Sequence, residues 1–409
     1  MIGTVNTERS SRALEFGMYR DGDNNLDEVQ AVTIAQALQT SKADHSIEFT
    51  VEDTTARRGF EPEDVLRTES YEVADGKLSK EVRVSPPHDM SARADLTKFV
   101  AHVLDNAENA HAPQTWIDLI DHGGGDGGGL QSAHSRSGIM REDDIAAAIA
   151  GGVALHAKEH PEDAGRGVDG VVANQCLMST VAFSSALSHA GVKYLAASPE
   201  TMLAPGVPTQ VAHDIAAHEN DPAAMAKSVV DTTMNESYGP PGDGFAPAAA
   251  FDVIDLDPVK TAAVQSAVKI LDAELVKAAA DPDMRVAIRE DAKKIDGMVR
   301  FPEGKGMPWK ADRPAIALYK KIFEDGRLSS DVREAALHAR NTIAATVMAH
   351  AESADFAPFN DADYTNAYGP TVHFPVSPKQ VDAWAPQISE TDNAFYKSVG
   401  AADLARVIA

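Results

Sequence analysis

The chain has 409 residues, 44% of them apolar and 24% charged, enough for one large α/β domain or two ordinary ones with a sizeable core. Its formal net charge of −25 repels phosphate, which argues against nucleic-acid partners and against adsorption to anionic membranes. A single cysteine excludes an intrachain disulfide and any cysteine-based zinc or iron–sulfur cluster, and no apolar run is long enough to span a membrane.

Taken in chain order, the first twenty residues lack the apolar stretch of a signal peptide, which places the chain in the cytoplasm unless a leader has been removed. LEFGMY (14–19) then reads as a strand, and residues 24–39 as a helix after a polar N-cap at Asn24 or Asn25. SIEFTV (46–51) is a second strand. Residues 93–106 place Leu96, Phe99, Val100, Val103 and Leu104 at helical spacing, and WIDLI (116–120) is the next strand. An alanine-rich helix, 143–158, opens on Asp143 and Asp144. VDGVVA (168–173) is a strand, 177–190 is a helix stopped by Gly191, and KYLAA (193–197) is a further strand. Short apolar strands alternating with helices predict an α/β fold with a mostly parallel sheet covered on both faces. The texture changes near residue 250. Long helices are predicted over 257–279 and 330–352, RFPEGKGMPWKADRP (300–314) reads as an exposed loop, and PTVHFPV (370–376) as an edge strand bounded by prolines.

Chemistry concentrates at two strand ends. In WIDLIDHGGGDGGGL (116–130), His122 follows a strand and precedes two glycine triplets. Gly123, Gly125 and Gly128 satisfy G-x-G-x-x-G, but that fingerprint needs a helix at its last glycine, and LQSAHSRSG is turn-like instead. A flexible turn beside a structural histidine is the bland alternative. The catalytic alternative is that glycines let backbone N–H groups approach an oxyanion while His122 handles protons. Cys176 ends VDGVVANQC, and in a parallel sheet functional groups gather at the carboxyl ends of strands. A lone cysteine is more often a small hydrophobe. Placed at the start of a helix and beside an imidazole, however, its thiol pKa would be lowered and it would be a nucleophile.

With these residues in hand, the chain resembles the clostripain-like cysteine peptidases, family C11 of the caspase–legumain–gingipain clan. DHGGG (121–125) and NQCLMS (174–179) carry the resemblance, and MYRDGDNNLDE (18–28), LAASPETMLAPGVP (195–208), AAFDVIDLDPVK (249–260) and NAYGPTVHFPVS (366–377) follow in the family's order. The resemblance implies a caspase-like three-layer sandwich, with residues 1–250 as the catalytic domain and 251–409 as an α-rich portion packed on it. It implies a cysteine endopeptidase acting on protein or peptide substrates through an acyl-enzyme. Cys176 would be the nucleophile, His122 the general acid/base, and the amides of Gly123 and Cys176 the oxyanion hole. No cofactor is required, although calcium is compatible with the acidic surface and with the family. Cleavage between His122 and Cys176 would activate the chain, with Arg136 and Arg141 in SAHSRSGIMRED (132–143) as the candidate positions.

The family's acidic residue at the base of the first specificity pocket is replaced by Asn174, and an amide cannot neutralise a buried guanidinium. Glu200, with Ser198 beside it after KYLAA, could supply the missing charge. Without it, a neutral polar side chain fits better than Arg or Lys. The rival functions are a non-catalytic binding module that kept the fold, and a transpeptidase or ligase using the same dyad. Nothing in the sequence fixes an oligomeric state.

Two further motifs fail on inspection. HAKEH (156–160) matches the inverted zinc-peptidase pattern H-x-x-E-H, but Pro161 ends the helix at once and no third ligand is apparent, so no metal site is expected. DGDNNLDE (21–28) opens like an EF-hand loop, yet Leu26 stands where the glycine is needed and Val32 where the glutamate is needed. Trp116 and Trp384 read as packing residues.

Overall fold

Strand β1 (Leu14–Gly22) is buried along its whole length, which is what a central parallel strand requires. The computed structural model describes residues 11–57, 65–79, 82–132, 138–203, 205–235, 249–295, 311–352, 367–378, 380 and 393–409. The other strands are β2 (Ile47–Arg57), β3 (Val65–Ala74), β4 (Lys77–Leu78), β5 (Arg83–Ser85), β6 (Gln114–Ile120), β7 (Gly170–Asn174), β8 (Tyr194–Ala197), β9 (Ala250–Asp255), β10 (Asp312–Pro314), β11 (Val347–Glu352) and β12 (Thr371–His373). Among the described residues ten of these form one sheet in the order β11-β9-β8-β7-β6-β1-β2-β3-β4, with β5 also on β3. The five strands from β2 to β8 run parallel, and β3, β9 and β11 are antiparallel to their neighbours.

Helices α1 (Asp27–Gln30), α2 (Val32–Ala43), α3 (Arg93–Asn109), α4 (Glu142–Glu159), α5 (Val181–His189), α6 (Val211–Ala217) and α7 (Pro222–Asn235) flank that sheet. Apolar side chains of α3, α4 and α5 form one core with Ile117, Leu119, Val171 and Ala173. Those of α2, α6 and α7 form another with Phe16, Trp116, Ile120 and Val172. The result is a three-layer α/β sandwich. Period-two alternation along β6 and β7 decides which face each residue serves. Trp116 packs as expected, stacked on Tyr194 at 6.0 Å, while Trp384 lies outside the described residues.

A third core joins α8 (Pro258–Ala278), α9 (Pro282–Lys294), α10 (Ala315–Glu324), α11 (Ser330–Ala344), α12 (Ala394–Val399) and α13 (Ala401–Ile408) to Val181 and Ala182 of α5. The helix predicted over 330–352 stops at Ala344, and residues 347–352 instead pair with β9. The unpaired edge of β9 outweighs a helical pattern that local propensity alone would continue. The helix predicted from 177 starts at Val181, where Thr180 caps it through Phe183 N–H. Of the predicted 300–314 loop, residues 311–314 are buried rather than exposed, and the rest lies outside the described residues.

Candidate active site

Three neighbouring strands end on one rim. Ile120 of β6 pairs with Asn174 of β7, and His122 and Cys176 each lie two residues further along. On the other side of β6, Arg20 of β1 pairs with Ile120, and the turn after β1 carries Asn25. His122 and Cys176 therefore line one cleft of about 260 Å³, together with Gly123, Asn174, Met202 and Leu203.

Behind His122, the glycine loop folds back on itself. Gly124 N–H donates to Gly128 O and Leu130 N–H to His122 O, so the Gly123–Gly129 pairing leaves the Gly123 amide unused. A Cβ on Gly123 would stand 2.1 Å from Cys176 O and 3.0 Å from Cys176 N, so only glycine allows this approach. The amides of Gly123 and Cys176 are thereby neighbours on the cleft wall. No helix follows Gly128: Gly129 pairs with Met140, and α4 begins only at Glu142. A dinucleotide fingerprint is incompatible with that backbone.

The Nε2 of His122 lies 2.9 Å from Asn25 Oδ1. An amide oxygen there accepts from the ring, which leaves Nδ1 as the basic nitrogen. Burial lowers the His122 pKa. Asn24, beside Asn25, donates to Asp121 Oδ1 at 2.6 Å and to Gln131 O at 3.0 Å, so the turn is sewn to the His122 loop. Asp121 and Asp21 are both buried, and desolvation raises both carboxyls, that of Asp21 to about 6. The Asp21–Glu28 stretch thus serves as a turn and a brace, and Arg20 fixes it further through ion pairs to Asp27 and Asp53.

The half-buried Cys176 departs from the expected environment. Its sulfur does not meet a helix N-terminus, because residues 177–180 intervene before α5. Burial pushes the thiol pKa up, and the carboxylates of Asp121 and Glu200 push it further. The sulfur instead accepts from Met202 N–H at 3.3 Å and lies 3.7 Å from Met202 O. Leu177, immediately after it, holds φ at +69°, a left-handed conformation that turns the chain sharply out of β7. Its N–H donates to Glu200 O at 2.8 Å.

Asn174 sits in the cleft wall, but its amide is occupied. Oδ1 accepts from Val207 N–H at 2.7 Å, and Nδ2 donates to Val207 O at 3.2 Å. Ser198 is fully buried; its hydroxyl accepts from Glu200 N–H at 3.0 Å and donates to Ala250 O at 2.7 Å, so it staples a turn. Neither Ser198 nor Glu200 lines the cleft. Asn25 and the Met202 main chain are the partners of His122 and Cys176 that sequence reasoning missed. Only the polar turn at the end of β1 gave a signal for the first.

The same architecture exists in solved structures. The chain has the fold of the C11 cysteine proteases. An inactive zymogen C11 protease from Parabacteroides distasonis superposes with a TM-score of 0.62 at 15% identity, covering 95% of this chain and 99% of that one. A secreted C11 cysteine protease from Bacteroides thetaiotaomicron, in complex with an irreversible peptide inhibitor, gives 0.61 at 12% identity over 95% and 99%. No protein-family model and no curated protein matches the sequence. At this identity the C11 fold persists while most side chains differ, so the chemistry rests on the residues of this chain.

Proposed function

We propose that the chain is a cysteine endopeptidase. The observation that carries this reading is the β6–β7 register, which sends His122 and Cys176 into one cleft with the Gly123 amide against the Cys176 backbone. In the proposed reaction the Cys176 sulfur attacks the scissile carbonyl carbon as His122 takes the thiol proton. The carbonyl oxygen becomes an oxyanion held by the Gly123 and Cys176 amides. Collapse breaks the C–N bond, and His122 delivers the proton to the leaving amine. Water then cleaves the thioester with His122 as base, releasing the acid and restoring the thiol.

The cleft wall supports an uncharged side chain before the scissile bond. Leu26, Met202, Leu203 and Pro205 line it, and its one acid among the described residues, Asp121, is held by Asn24 and the loop backbone. A zymogen state is also part of the proposal, because the Met202 main chain holds the sulfur and a neighbour of the same fold is an inactive zymogen. Cleavage after Arg141 would have to open the Met140–Gly129 pairing, so we place it after Arg136, which lies outside the described residues.

A peptide-library digestion with wild type and Cys176→Ala tests the reading. Wild type should release products with uncharged residues before the cut and should self-cleave between His122 and Cys176, whereas the variant should do neither. Added amine should not be incorporated in preference to water. Products that appear equally with the variant would end the proposal.

A further inference from the structure

The fold brings together a second group of chemically active side chains, far along α3 and α4 from the cleft. His156 and His160 stand one turn apart where α4 ends, and Asp105 and Glu108 stand on the last turns of α3. Their atoms converge. His156 Nδ1 is 2.7 Å from Asp105 Oδ1, and His160 Nε2 is 3.4 Å from the same oxygen. His160 Nδ1 is 2.7 Å from Glu108 Oε2, and Asp163 Oδ2 approaches His156 Nε2 at 3.4 Å. The two imidazoles lie stacked, with centroids 4.8 Å apart and planes 16° from parallel. His156 is fully buried, and His160 is one-third exposed, so the site is anchored on one side and open on the other.

We propose that His156, His160 and Asp105 bind a divalent cation of the zinc class, with Glu108 holding the opposite ring nitrogen of His160. Around a tetrahedral ion with bonds of 2.0–2.1 Å, donor atoms stand about 3.3 Å apart. The observed 2.7 and 3.4 Å to Asp105 bracket that spacing, and the three donor atoms all lie within 4.8 Å of one another, so side-chain rotation closes the site without moving either helix. Two imidazole nitrogens with carboxylate oxygens suit zinc or its first-row neighbours better than calcium, which takes oxygen donors. The electrostatics ask for a cation as well. Two helices direct their negative ends here, four carboxylates gather, and no basic residue lies in the last turn of α3. Arg166 pairs with Asp163 at the edge of the group and also donates to Ala112 O. The third ligand that the sequence conceals is Asp105, more than fifty positions before His156 and brought alongside by α3–α4 packing. Glu159, the acid of the H-x-x-E-H pattern, points to solvent, so the ion would join two helices rather than activate water.

The test uses the full chain with Cys176→Ala, so that the thiol cannot compete, stripped of metal and titrated with Co²⁺. One equivalent should saturate a visible absorption typical of tetrahedral nitrogen and oxygen donors, and Zn²⁺ should displace it. His160→Gln and Asp105→Asn, both at partly exposed positions and checked for folding by circular dichroism, should each weaken Zn²⁺ binding at least tenfold. Zn²⁺ should raise the thermal midpoint of the parent but not of His160→Gln. Absence of saturable stoichiometric binding, or an affinity left undiminished in either variant, would overturn the site. The outcome is independent of peptide hydrolysis.

Discussion

At neutral pH the Cys176 thiol keeps its proton and His122 lacks one, because burial moves the sulfur's pKa up and the imidazole's down. The resting pair is therefore neutral, and in the proposed reaction the imidazole would act as a base during attack rather than before it. His122 stays unprotonated to lower pH than an ordinary imidazole of pKa about 6.5. The acid limb of kcat/KM should accordingly reach half-height below that value, and a pH–rate profile checks it. Asn25→Ala should lower kcat about tenfold with KM little changed, since it frees the ring to rotate and lets water in. It should also move the acid limb upward, a shift that a purely structural residue would not cause. Alkylation of the resting enzyme by iodoacetamide should be slow at pH 7 and accelerate above about 8.5. The placement of His122 and Cys176 at neighbouring strand ends was legible in the sequence because strand-end position is a local property. Asn25 was not, because its meaning depends on β1 lying beside β6, a contact between residues ninety-seven positions apart.

Among elements, the segment after β8 is the one whose placement shapes the cleft. Asn174 pins it through both atoms of its amide, and a Cβ on Gly206 would stand 1.8 Å from Asn174 Oδ1. Asn174→Ala should destabilise the fold by about 1–3 kcal/mol, the usual effect of orphaning a buried donor and acceptor. It should also raise KM, because the Met202–Gly206 wall loosens. Urea unfolding and initial rates measure the two effects separately. Asn174→Asp would keep the acceptor for Val207 N–H but lose the donor to Val207 O, so it retains only half of the clamp. Most element positions followed from apolar periodicity, since β1, β6, β7 and β8 are short buried runs. The errors fell where tertiary pairing outweighs local pattern. Residues 177–180 are drawn out of α5 by Leu177 N–H donating to Glu200 O and by Thr371 N–H donating to Ser179 O. Residues 347–352 are captured by β9.

Across the whole molecule, the division near residue 250 falls at the start of β9, which pairs directly with β8. The α-rich portion thus contributes two strands to the common sheet. It also grips the glycine loop. Tyr396 OH donates to Asp126 Oδ2 at 2.6 Å, His373 Nδ1 lies 2.8 Å from Asp312 Oδ1, and Glu142 accepts from Thr180 and Asn393. Asp126, Asp312 and Glu142 are buried together, and Arg313, whose charge lowers the Asp312 pKa against this burial, also donates to Ala292 O and Ala311 O. Desolvation raises the Asp312 carboxyl to about 8 and those of Asp126 and Glu142 well above the carboxylate range. A carboxyl raised in the folded state contributes stability that is complete below its unfolded pKa of about 4 and is lost as pH climbs through its folded value. The thermal midpoint should therefore fall between about pH 4 and 8, a loss on the order of a few kcal/mol. Asp312→Asn should flatten that slope, and thermal scans across the window decide it.

Asp126 stands four residues after His122, and its anchors are Tyr396 and Asp312, the latter held in turn by His373. During synthesis His122 and Cys176 both emerge from the ribosome long before those anchors exist. If the proposed peptidase reading holds, the nascent polypeptide carries its reactive pair before the buried acids around Asp126 are in place.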